Sequence, residues 1–127
     1  MSKRIIQTDK APAPIGPYSQ AVLAGNMLFV SGQIAIVPET GDLATGDIVS
    51  ETTQVMKNIK AILDAAGVGF GDVVKTSIFL SDMALFGSVN EVYGKHFSSD
   101  FPARETVAVK TLPKSVNVEI SVTAVKS

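Results

Sequence analysis

The sequence predicts a sheet with an amphipathic helix packed against it, and three stretches carry that expectation. Ile48, Val55, Ile59, Ile62, Leu63 and Ala66 recur at helical spacing between Asp47, suited to cap a helix N-terminus, and Gly67, where a left-handed C-terminal cap belongs. Val116, Val118, Ile120, Val122 and Ala124 alternate with Asn117, Glu119, Ser121 and Thr123, the two-residue period of a strand with one apolar face. Two apolar runs, residues 18–24 and 27–31, are joined by Gly25-Asn26, the spacing of a β-hairpin.

Composition bounds what such a sheet can do. A chain of 127 residues fits one domain, 1–127, large enough to bury a core. Hydrophobic residues at 46% and charged residues at 18% exclude disorder. With 11 basic residues against 12 acidic ones and no basic stripe, nucleic acid is not an expected partner. The lack of cysteine removes a disulfide framework, a thiolate nucleophile and a cysteine-based zinc site. A single histidine, His96, leaves no histidine pair for a metal centre, so no metal is expected. Residues 1–7 lack the apolar core of a signal peptide and no run approaches membrane-spanning length, so a soluble cytoplasmic protein without membrane attachment is expected.

In chain order, residues 3–7 suit a short edge strand. The three prolines of 11–17 favour extended backbone, read here as a segment pinned across a surface because strand character follows at once. Gly32, at the end of the second hairpin strand, permits either close approach of a ligand to the backbone or a kink. Residues 38–47 form a loop rich in turn residues, and on the following helix Glu51, Lys57, Lys60 and Asp64 are expected to face water. The glycines of 67–71 follow a helix end, whereas phosphate-cradling loops precede a helix start, so phosphate binding is not read there. Residues 72–80 alternate as a strand with neither face wholly polar, which suggests helices over one face and a partner chain over the other.

A second helix is expected from Asp82, with Phe86, Val89, Asn90, Tyr93 and Phe97 along one side. Asn90 interrupts that stripe, and a buried amide must either satisfy a backbone group or point into a site. His96, near the helix end, is expected to cap the helix dipole or to meet solvent. Pro102 stops the helical pattern and residues 106–109 read as a strand, with Arg104 at the junction. A guanidinium fixed there presents a planar fork that matches a carboxylate or phosphate, against the plainer reading of a solvated sheet edge. Glu119 lies mid-strand among small polar residues, where a semi-enclosed polar surface fits better than a solvated face.

Six stretches together resemble the RidA (YjgF) family of imine deaminases in order and spacing. They are Ile15-Gly16-Pro17-Tyr18-Ser19-Gln20, Ser31-Gly32-Gln33-Ile34, Val89-Asn90-Glu91-Val92-Tyr93, Phe101-Pro102-Ala103-Arg104, Leu112-Pro113-Lys114 and Val118-Glu119-Ile120. The resemblance implies an α+β, chorismate-mutase-like fold: a six-stranded mixed sheet with two helices on one face and the open face packed in a homotrimer. It implies sites in clefts between subunits, no cofactor, and hydrolysis of 2-imino acids such as 2-iminobutanoate and 2-iminopropanoate to 2-keto acids and ammonia. On that resemblance Arg104 clamps the substrate carboxylate, Glu119 activates water, and Tyr18, Ser31, Gly32, Asn90 and Thr106 contact the substrate. Two other roles attach to such proteins: a non-catalytic carboxylate-binding, regulatory or chaperone-like trimer, and a ribonuclease or translation inhibitor, which the missing basic patch and histidine pair disfavour.

Three positions depart from the family pattern. Thr106 stands where many relatives have cysteine, which keeps a hydroxyl but no thiol. Glu105 stands where many have a small residue, and strand alternation sends it to the face opposite Arg104. Ala35 replaces a frequent proline.

Overall fold

Asp47 and Gly67 bound the first helix, α1 (Ile48–Ala66), as their chemistry dictates, in a computed structural model that describes residues 2–127. The Asp47 carboxylate accepts from the Ser50 N–H at 2.8 Å, and Gly67, with φ +78°, closes the other end as its N–H and that of Val68 return to the carbonyls of Asp64 and Leu63. The buried stripe of α1, including Val55, Met56, Ile59, Ile62 and Leu63, lies on a six-stranded mixed sheet in the order β1-β2-β3-β6-β4-β5.

The strands are β1 (Lys3–Ile6), β2 (Ala21–Ala24), β3 (Met27–Gln33), β4 (Val73–Leu80), β5 (Ala103–Ala108) and β6 (Val118–Val125). Gly25-Asn26 joins β2 and β3 as a two-residue hairpin, and all neighbours are antiparallel except β4 and β5, which run parallel through a crossover containing α2 (Phe86–Gly94). Leu28, Val30, Ile78, Leu80, Val118, Ile120 and Val122 fill the covered face beneath α1 and α2, each large aliphatic side chain contributing about 2 kcal/mol by leaving water. This is the α+β, chorismate-mutase-like arrangement expected, with both helices on one face. The other face carries Phe29, Phe79, Glu105, Val107, Glu119, Ser121 and Thr123, with Phe29 and Val107 exposed.

Several boundaries shift for local reasons. Residues 18–20 lie outside β2, because the Gln20 side chain turns toward the proline-rich segment. Asp82 caps a three-residue 3₁₀ turn, Met83–Leu85, through the Ala84 N–H, so α2 starts only at Phe86 and ends before His96 and Phe97. His96 neither caps the helix nor stands free in solvent: its ring lies 5.0 Å from that of Phe70, and burial lowers its pKa. β5 begins at Ala103, three residues before the predicted run, so Arg104 at the junction is its second residue.

The clearest correction concerns Glu51, expected to face water and found fully buried. Its carboxylate accepts from the Asn117 N–H at 2.7 Å, the Asn117 side-chain amide at 2.8 Å and the Val118 N–H at 3.2 Å. Those bonds engage the Asn117 N–H while its carbonyl accepts from the Ser81 N–H at 3.0 Å, and β6 starts at Val118, two residues after the predicted start at Val116.

Candidate active site

Two half-sites face different sides of the sheet. The first is a recess on the uncovered side lined by Ile15, Tyr18, Gly32, Ile34, Pro113 and Glu119. Gly32 and Glu119 reach it from β3 and β6, its other walls are largely irregular backbone, and polar side chains behind them hold them in place. Gln20, 2% exposed, donates through Nε2 to the carbonyls of Thr8, Ala11 and Pro12 while its Oε1 accepts from the Thr8 N–H, so the proline-rich segment is pinned as expected. The Ser31 hydroxyl donates to the Ser19 carbonyl, tying the stretch that carries Tyr18 to β3.

Asn58, fully buried on α1, donates to the carbonyls of Ile34 and Ile36, and Glu51 holds the start of β6 one strand over. Glu51, Val55, Asn58 and Ile62 share one helical stripe, so two polar residues at core spacing were the signal by which these supports could be read from the sequence. Glu119, expected mid-strand, projects into the recess from the second position of β6, because that strand starts only at Val118, and burial pushes its carboxyl above its ordinary pKa. A carboxyl so tuned holds or releases a proton closer to neutrality than a solvated one.

The second half-site lies on the helix-covered side at the β5 edge. Arg104 pairs in register with Thr76, whose side chain is buried under the helices. Its Nη1 donates to Asn90 Oδ1 at 2.7 Å, and its guanidinium carbon stands 5.2 Å from the Tyr93 ring centroid and 5.5 Å from that of Phe86. Asn90 is exposed rather than buried in an apolar stripe, and its partner is Arg104 instead of a backbone group. Tyr93 in turn donates to Thr76 Oγ1 at 3.0 Å, and burial raises the Tyr93 pKa against the opposing effects of that hydrogen bond and Arg104. The guanidinium is therefore oriented by one amide and two rings, with donors left for a ligand in the cleft formed by Tyr93, Phe101, Pro102 and Arg104. Thr106, two residues along the same face, has a buried Oγ1 without a hydrogen-bond partner among the described residues.

Tyr18, Gly32 and Glu119 thus meet in one recess with Ser31 behind it, and Arg104, Asn90 and Thr106 meet on the other side. One chain does not bring the two groups together. Glu105 points to the face opposite Arg104, where it pairs with Lys75 at 3.0 Å and accepts from the Ser77 hydroxyl; those contacts lower its pKa. No group of three or more histidine, cysteine, aspartate or glutamate side chains suited to a metal occurs among the described residues, and no described helix is long and apolar enough to cross a membrane.

The family described as Endoribonuclease L-PSP matches residues 8–126. The chain belongs to this family, the RidA/YjgF family. Among RidA-family relatives, a RutC family protein of Pyrococcus horikoshii is 52% identical over 98% of each chain. The human protein named 2-iminobutanoate/2-iminopropanoate deaminase is 46% identical over 98% of this chain and 90% of its own. The crystal structure of RidA from an Antarctic Psychrobacter superposes with a TM-score of 0.92 at 46% identity, covering 96% of this chain and 98% of that one. The chain is therefore of the RidA type, a family whose named members include reactive-intermediate deaminases.

Proposed function

We propose that the protein hydrolyses small 2-imino acids, such as 2-iminobutanoate and 2-iminopropanoate, to the 2-keto acid and ammonia. The observation that carries this reading is the Glu119 carboxyl, desolvated in a largely apolar recess beside Tyr18 and Gly32. In the proposed reaction Glu119 accepts a proton from water as the oxygen bonds to the imine carbon. It returns that proton to the nitrogen to complete the carbinolamine, and the carbinolamine hydroxyl proton then passes through the same carboxylate to the nitrogen as the C–N bond breaks, releasing ammonia and leaving the C=O of the keto acid. An imine carbon is already electrophilic, so orientation and one proton shuttle suffice.

Arg104, held by Asn90, supplies the fork for the substrate carboxylate, and the Thr106 hydroxyl adds a polar contact beside it. Because these groups and Glu119 face opposite sides of the sheet, the proposed site lies between copies of the chain, in a homotrimer whose contacts cover the open sheet face. The exposed Phe29 and Val107 on that face favour such burial. The family's descriptive name favours a second reading, RNA cleavage. Loss of RNA cleavage by highly purified protein on Glu119→Gln would support it.

The deciding experiment adds the protein to an amino-acid dehydratase reaction in which semicarbazide competes for the imine. Faster keto-acid formation is expected, and none with a folded Arg104→Ala variant. Equal rates with and without the protein would reject the deaminase reading.

A further inference from the structure

Glu119 does not reach the recess unsupported: its carboxyl group lies directly on the backbone of Gly32. A β-carbon added at Gly32 would stand 2.6 Å from Glu119 Oε2, 2.9 Å from its Cδ and 3.1 Å from its Cγ. The first two separations are shorter than a β-carbon tolerates and the third is tight, so a side chain at position 32 must displace the carboxyl group. Gly32 also sits within the register shift between Val30 and Gln33, where β3 departs from its ladder with β6.

The backbone itself makes no demand for glycine here. Positive φ angles occur at Gly25, Gly41 and Gly67 and not at Gly32. What excludes a side chain is Glu119, two strands' side chains meeting where only one can fit. Burial is moreover the sole cause acting on the Glu119 proton affinity, with no hydrogen bond from the protein contributing. Its carboxyl is therefore oriented by contact and not by a polar partner.

We propose that Gly32 is a positioning residue, which by lacking a side chain fixes the rotamer of Glu119 and so the direction from which that carboxyl meets water and substrate. This goes beyond admitting substrate to the β3 backbone, and it rests on the deaminase reading only for its kinetic consequence. A methyl group at position 32 rotates the carboxyl out of the recess or drives it toward the substrate. A displacement of about 1 Å in a proton-transferring group lowers a rate on the order of 10- to 100-fold.

The test uses the full chain with Gly32→Ala and two measurements. In the imine assay kcat is expected to fall about 10-fold or more with KM changed by less than about 3-fold, because the carboxylate clamp is untouched. Shortening the acid is expected to relieve the clash, so Gly32→Ala combined with Glu119→Asp should lose less than the product of the two single losses. Independently of any turnover, the Glu119 carboxyl is followed by carbon NMR titration without substrate, and Gly32→Ala is expected to move its midpoint. If the wild-type protein shows no deaminase activity, that reading fails and the titration alone decides the role of Gly32.

A rise in KM at constant kcat, or an unmoved Glu119 titration, would overturn the proposal. Should Gly32→Ala melt too low to assay, Gly32→Ala combined with Glu119→Ala decides: recovery of Tm supports the clash with Glu119, and no recovery overturns it.

Discussion

Arg104 and Glu119 stand on opposite faces of one sheet. Arg104 shares a register position with Thr76 under the helices, whereas Glu119 is paired with Phe79 on the uncovered face. If both act on one substrate, each must come from a different copy. Two variants, Arg104→Ala and Glu119→Gln, each inactive alone, are then expected to regain activity when unfolded together and refolded as mixed oligomers. Each interface draws its two halves independently, so about a quarter of wild-type activity should return. No recovery in mixtures shown to contain both chains would place the two residues in one subunit's site or in none.

The raised Glu119 pKa has a definite sign in both rate and stability. As the proton acceptor, Glu119 works ionised, so the acidic limb of the kcat/KM profile, which reports the free protein, should lie above the ordinary glutamate value of 4.5. For stability, a folded-state pKa above the unfolded one favours the protonated protein. That contribution is complete below the unfolded pKa and is lost as pH rises through the folded pKa. Glu119→Gln, which cannot ionise, should therefore melt about 1–3 °C above wild type at neutral pH, with the difference shrinking in acid. A lower Tm for the glutamine variant at neutral pH would contradict the desolvation account.

Much of the scaffold was readable because its signals are local. Asp47, Gly67 and the apolar stripe between them specify α1, and the alternation of Val118, Ile120 and Val122 specifies β6. The recess was less readable because its supports act at long range. Nothing adjacent to Glu51 says that its carboxylate meets Asn117, 66 residues away, and nothing near Asn58 points to the carbonyl of Ile34, 24 residues back. Arg104 was recognisable as a positioned cation from Pro102 and the strand after it. Its separation from Glu119 follows only from strand register, since Arg104 aligns with Thr76 and Glu119 with Phe79 of β4, and those two positions face opposite sides of the sheet.

Glu105 illustrates the same dependence on faces. A carboxylate next to Arg104 in sequence could compete for the guanidinium, yet it is bound to Lys75 and Ser77 on the other side of β5. Glu105→Gln should leave KM for the imino acid within about 2-fold, as expected for a surface change that spares the clamp. Its depressed pKa gives the fold a contribution present above the unfolded value and lost as pH falls through the folded one. Acid unfolding of the glutamine variant should therefore be less steep in that range. A several-fold drop in KM would show instead that Glu105 opposes the substrate.

Glu51 makes the strongest stability prediction because it satisfies three donors at once. Truncation to alanine leaves the N–H groups of Asn117 and Val118 without partners behind the recess, at about 1–3 kcal/mol for each unsatisfied group, with a cavity added. Glu51→Ala should thus lose at least about 3 kcal/mol in urea unfolding, close to the margin of a small domain. Glu51→Gln keeps one oxygen to accept from the Asn117 and Val118 N–H groups but turns its amide donor toward the Asn117 side-chain amide, and an intermediate loss of about 1–2 kcal/mol is expected. Because β6 carries Glu119 from that same point, the glutamine variant should also lower kcat more than KM rises. A Glu51→Ala protein as stable as wild type would mean that water replaces the carboxylate there, and the start of β6 would need another support.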